Sequence, residues 1–179
     1  MFPVAEFGLT ILRVVAGLIF VAHGAQKLFG WFGGHGVSGT AGFFGQLGLR
    51  PARFWAVVAG LAEFFGGLGL VLGLLTPFAA AAVASSMLGA IVLVHLPKGF
   101  WNTSGGYEFN LTLLAAAVCL GLAGPGAYAL DPFIALPVRE LDAFLGSLVV
   151  GIVGLIVAYG TRAQPAAQPR DQQTRQAAA

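Results

Sequence analysis

Hydrophobic residues in this chain come in runs rather than at alternating or helical-stripe positions, and the breaks between runs fall at Gly, Pro and charged residues. The first run, about residues 5–29, carries Arg13, His23 and Lys27 but is otherwise apolar. At roughly 1.5 Å per residue it is long enough to cross a bilayer. A Gly- and aromatic-rich segment follows, Gly30–Arg50, too polar to span, within which Ser38–Leu47 reads as a short interfacial helix. Pro51 opens a second run over 54–75. Thr76-Pro77 makes a hairpin, because Pro ends one helix and starts the next, and a third run covers 78–96. Gly105-Gly106 marks a turn before a fourth run over 107–122, closed by Gly124-Pro125-Gly126. After a loop with Asp131-Pro132 and Pro137, a fifth run ends at Gly160. Residues 161–179, rich in Gln, Ala, Pro and Arg, read as a disordered tail. The pattern predicts an all-α integral membrane protein: a four-helix transmembrane bundle over 1–131, then a loop and a fifth C-terminal transmembrane helix over 132–160.

Composition sharpens this reading. Of 179 residues 58% are hydrophobic and 9% charged, against about 25% charged in soluble domains. The bilayer is thus the expected surround, and a net charge of +2 with scattered basic residues gives no reason to expect nucleic acid. One cysteine, Cys119, excludes an internal disulfide or a dithiol centre and reads as a packing residue. The N-terminus lacks the basic region and cleavage site of a signal peptide and is expected to stay as the first span. With five spans, seven Lys and Arg residues (Lys27, Arg50, Arg53, Lys98, Arg162, Arg170 and Arg175) fall on one side and Arg139 on the other. Such a bias places the N-terminus outside and the tail in the cytoplasm.

The ionisable residues inside the spans are the candidate chemistry. A charge at mid-bilayer costs about 2.5–3.5 kcal/mol even on lenient scales, so these residues should face protein. Arg13, Gly17, Phe20, Gly24 and Lys27 share one stripe, and Gly60 and Gly67 flank Glu63 and would let the first helix approach closely. Glu63 lies about 16 Å into its helix, which makes Arg13 its expected partner. His23, Lys27, His95, Tyr107, Glu108 and Asn110 converge at the cytoplasmic ends of their spans. In this pocket His95 and Glu108 are candidates for proton transfer, while His23, Lys27, Arg13, Glu63, Tyr107 and Asn110 are candidates for ligand binding. Phe20, Phe29, Trp31 and Phe64 would wall it, with the Gly-rich segment near Trp31 and His35 as a lid. Ion pairs that only fix helix register are the competing explanation. Haem between His23 and His95, or a two-His, one-Glu metal site, is geometrically allowed, but the salt-bridging neighbours argue against both, and no metal site is assigned. Gly69 and Gly73 form a GxxxG pair suited to tight packing or a dimer contact, so a homo-oligomer stays open.

These residues carry a resemblance. The Arg13 span ending HGAQKLFGWFGGHG, then FFGQLGLRP, AGLAEFFGGLGLVLGLLTPFAA, MLGAIVLVH, GGYEFNLTLLAAA and GPGAYALD together resemble the DoxX family of bacterial membrane proteins over about residues 8–131. The resemblance implies a four-helix membrane bundle in the bacterial inner membrane. Some members are tied to quinone-reducing thiosulfate oxidation, others to thiol-redox complexes or quinone detoxification. The chain departs from the family pattern after Asp131, with its fifth span and basic tail. The expectation is a membrane subunit of a redox system that binds quinone or a small sulfur or thiol compound. No cofactor motif is evident beyond that quinone, and a soluble redox partner would supply electrons. The alternatives are a non-catalytic scaffold that docks a soluble oxidoreductase through Gly30–Arg50, and a small-solute transporter, for which no internal repeat speaks.

Overall fold

A computed structural model describes residues 4–134 and 137–163 and is all-helical over them. The helices are α1 (Val4–Phe29), α2 (Gly36–Gln46), α3 (Ala52–Leu72), α4 (Thr76–Ala90), α5 (Glu108–Ala123) and α6 (Glu140–Gly160). α4 continues through a π-helical turn, Ile91–His95, and a 3-10 turn, Leu96–Lys98. Four helices (α1, α3, α4 with its extension, and α6) are long and apolar enough to cross a membrane, while α5 is a shorter apolar helix of 16 residues. α5 still connects the two ends of the bundle. Before it, Tyr107 N bonds Gly99 O; after it, Leu130 N bonds Gly73 O in the α3–α4 hairpin. The end with that hairpin is called the hairpin end below, and the other, with His95 and Lys98, the loop end.

Glycine sets how α1 meets α3. A Cβ added to Gly17 would lie 2.7 Å from Gly67 O, and one added to Gly67 2.6 Å from Val21 N. The two backbones therefore touch directly, the close approach that small residues permit where lipid gives helices no hydrophobic reason to associate. The buried residues of α1, Arg13, Ala16, Gly17, Phe20, Gly24 and Ala25, follow the stripe read from the sequence. α4 is the central helix. It packs on α3, α5 and α6, and nine of its residues are buried, mostly Ala with Val83 and Met87. Phe20, Leu70, Leu113, Leu120 and Phe144 complete the core around it.

Gly69 and Gly73 serve the fold from within. Gly73 takes a left-handed conformation (φ 61°), and Leu74 N bonds Gly69 O at 2.9 Å while Gly73 N bonds Leu70 O at 3.2 Å, the paired bonds of a Schellman cap. A Cβ on Gly69 would sit 2.8 Å from Ala79 Cβ, so this pair closes the α3–α4 hairpin. Cys119, expected to pack, lies exposed on α5. The start of the tail is also ordered: Arg162 Nε donates to Leu47 O at 2.8 Å and Ala163 N to Gly48 O at 2.9 Å. The rest of the expected disordered tail lies outside the described residues.

Candidate functional site

The buried charges form two groups, one at each end, and the glycine contacts of α1 with α3 decide the membership. Because Gly17 meets Gly67, Glu63 lies level with the segment around Gly24 and Phe64. That is a turn from Lys27 but about 16 Å along α1 from Arg13 at the helical rise. Glu63 accordingly pairs with Lys27, not with Arg13 as the sequence suggested. The Glu63 side chain is 5% exposed and that of Lys27 26%, so the acid is held inside while the ammonium reaches it along a flexible stem.

Arg13, only 1% exposed, belongs to the hairpin end. Its Nη1 donates to Leu70 O at 3.0 Å and its Nη2 to Tyr128 O at 2.6 Å. The guanidinium thus sits at the C-terminal end of α3, where the helix dipole favours a cation. Asp131, 5% exposed, completes this end: Oδ1 accepts from Leu75 N at 2.5 Å and Oδ2 from Thr76 N at 2.9 Å. It caps α4 from 55 positions away and holds Leu75 in a left-handed conformation (φ 51°) that leucine rarely adopts. Sequence reasoning missed Asp131, since only its Asp-Pro loop position was visible.

At the loop end lies a half-open cleft of about 740 Å³, lined by residues of every helix, within the range typical of ligand pockets. His23, Lys27, Glu63, His95 and Asn110 all border it, so five of the eight candidate residues converge there. Tyr107, Glu108 and Arg13 do not. Glu108 Oε2 accepts from Asn102 N at 2.9 Å, and the Tyr107 ring packs edge-on against Phe100 at 5.5 Å; both residues brace the 99–107 loop. The backbone explains this, because Glu108 N bonds Phe100 O and turns the start of α5 over that loop. Of the expected wall, Phe20 is in the core, and Phe29, Trp31 and Phe64 form a separate aromatic cluster. The aromatic residues that do line the cleft are Phe43, Phe44, Trp55, Phe78 and Phe109. The cover at this end is therefore α2 and Leu47, not the segment around Trp31 and His35.

Three groups in the cleft retain hydrogen-bonding capacity. His95 Nδ1 lies 2.7 Å from Gly105 O. A carbonyl only accepts, so Nδ1 carries the proton and Nε2 is left as an acceptor in the neutral ring. Asn110, buried, donates only to Met87 Sδ at 3.5 Å, a weak acceptor. Lys27 spends one of its three donors on Glu63. The π-helical turn that ends in His95 is a rare geometry, enriched at functional sites. The lining from α6, including Ser147, Gly151, Gly154 and Ala158, was also missed, although their spacing puts these small residues on one helical face.

A bundle of membrane-length helices with a half-open cleft and paired charges inside it defines a small multi-pass membrane protein with a binding site. The chain belongs to the DoxX family, which matches residues 8–96. It is 37% identical over 129 residues to "Putative oxidoreductase CatD" of Bacillus subtilis (strain 168), covering 72% of this chain and 88% of that protein. It is 28% identical over 126 residues to inner membrane protein YqjF of Escherichia coli (strain K12), covering 70% and 91% of the two chains. Inner membrane protein YphA of the same organism is 28% identical over 131 residues, covering 69% and 87%. No solved structure matches the chain.

Proposed function

We propose that the cleft binds the head group of a quinone in a membrane redox system. The observation that carries this reading is the set of groups left at one end of an otherwise apolar cleft: Nε2 of His95 to accept, and Lys27 and Asn110 to donate. A quinone carbonyl accepts hydrogen bonds and a hydroquinone hydroxyl donates one, so both redox states find partners. Reduction of the quinone takes two electrons and two protons. His95 would pass a proton through Nε2, and Lys27 would stabilise negative charge on the ring oxygen. The electrons must come from a partner oxidoreductase, since the single cysteine cannot act as a dithiol. The oxidoreductase name of CatD supports a redox role. A small sulfur anion beside Lys27 is the lesser alternative, because it would leave the long apolar part of the cleft without a purpose.

Lipid extracts of the purified full-length protein should contain quinone, and added quinone should quench the fluorescence of Trp55, which borders the cleft. Absence of both would end this reading. The scaffold reading would then gain, with Trp31 and Phe32, both well exposed, as the docking surface. For orientation we propose an outside N-terminus and a cytoplasmic C-terminus in the inner membrane, from the basic bias. A reporter fused after Ala179 that is active only in the periplasm would overturn it.

A further inference from the structure

We infer that the cleft holds a long isoprenoid tail as well as a head group, and that α6 is the wall that holds it. The inference rests on the quinone reading for the head, but its own support is the shape of the cleft. Along α4 the lining runs from Phe78 to His95, about 26 Å at the helical rise, against a hydrocarbon core of about 30 Å. The charged and imidazole groups gather toward one end of this run. Near the other, the lining comes from Phe78, Ala82, Ser147 and Val150, and Ser85, further along, spends its hydroxyl on Ala81 O at 2.8 Å. A second cavity of about 430 Å³ shares Phe78, Ser147 and Val150 and continues the space toward the hairpin end. One polar end and one long apolar run fit an amphiphile with a single tail.

The space exists because α3 and α6 flank α4 without packing along each other. α6 meets α4 closely, since a Cβ on Gly89 would lie 2.8 Å from Leu155 Cδ2. On the cleft side, by contrast, a Cβ added to Gly154 would meet nothing within 4 Å. At the loop end, the bonds of Arg162 and Ala163 to Leu47 and Gly48 tie α6 to the α2–α3 connection and close the cleft there. Access is therefore sideways from the bilayer. α6 lies beyond residues 8–96, so this wall is not part of the segment that the family match covers.

The test uses the full-length protein in nanodiscs with Trp31→Phe and Trp101→Phe, so that Trp55 alone reports. A benzoquinone with a long isoprenoid tail is compared with the tailless benzoquinone of the same ring. In a membrane the tail exchanges lipid contacts for protein contacts, so the gain comes from packing, and a preference of about tenfold is expected. Gly154→Phe should fill the open space, reduce tailed binding to the tailless level and leave tailless binding alone. Gly8→Phe, on the exposed start of α1 where an added Cβ also meets nothing, should change neither. Equal affinity of the two ligands for the parent, or tailed binding unmoved by Gly154→Phe, overturns the tail inference and leaves the head reading standing. A long isoprenoid alcohol provides the opposite separation. Saturable, Gly154→Phe-sensitive displacement of a fluorescent isoprenoid by that alcohol, with no binding of either quinone, would support the tail site and end the quinone reading. No saturable binding of any tailed ligand overturns the inference.

Discussion

The two ends of the bundle bury charge in opposite ways. At the hairpin end, Arg13 and Asp131 are spent on backbone: the cation on Leu70 O and Tyr128 O, the anion on Leu75 N and Thr76 N. One closes the end of α3 and the other opens α4, so both repair helix termini that lipid would leave unsatisfied. At the loop end, Lys27 and Glu63 pair with each other beside a cleft, and His95 and Asn110 border the same space with bonding capacity left over. A buried charge with backbone partners explains its own presence by the fold. A buried charge beside open space calls for a ligand.

That contrast can be broken most directly at Arg13. Arg13→Met strips two carbonyls of their donor and leaves Asp131 without its nearby cation, and a loss of about 3–5 kcal/mol is expected. It should appear as a lower thermal aggregation temperature in detergent, with quinone affinity unchanged in the protein that remains. A normal aggregation temperature with lost binding would reverse the assignment of the two ends. Asp131→Ala should follow at about 1–2 kcal/mol from the lost cap, and Asp131→Asn should recover part of that in the same assay.

The reciprocal change at the loop end is the pair Lys27→Met with Glu63→Leu. Replacing a buried ion pair with apolar groups is often near neutral, so stability should move by about 1 kcal/mol or less while quinone affinity falls more than about tenfold. Glu63→Leu alone should cost more than the double change, by a coupling of about 1–2 kcal/mol. Strict additivity would mean that the pair does not act together. A smaller effect separates His95 from Glu108. His95→Phe should leave aggregation temperature nearly unchanged but slow quinone-dependent turnover in cells. Glu108→Gln keeps an acceptor for Asn102 N and should change neither measurement, with stability within about 0.5 kcal/mol.

The glycine stripe of α1, its approach to α3, the α3–α4 hairpin and α2 were all readable, because each has a one-dimensional signature: a run, a spacing or a Pro. The convergence of His23, Lys27, Glu63, His95 and Asn110 was readable for the same reason, since topology alone carries those residues to one end. The partner of Glu63 was not. It depends on the sliding register of two antiparallel helices, which the Gly17 and Gly67 backbones set to within a turn, and a depth estimate counted from helix starts cannot resolve that. Asp131 was hidden because its cap reaches back to α4 across α5, and a contact between loops leaves no period in the sequence. Glu108 misled because a carboxylate at the start of a helix can turn toward a pocket or toward its own preceding loop with equal spacing.

The π-helical turn over Ile91–His95 also makes the reach of His95 depend on chain length. A π turn carries one residue more than the α turn it interrupts. Removing the exposed Val92 would let the helix return to ordinary pitch and swing every later position by about 100° around the axis. His95 would leave the cleft, and its bond to Gly105 would break. Pairs of related chains that differ by a single deletion here would share a fold and every charged residue, yet differ in whether an imidazole faces the ligand. An alignment that slides this gap by a few positions would hide the difference.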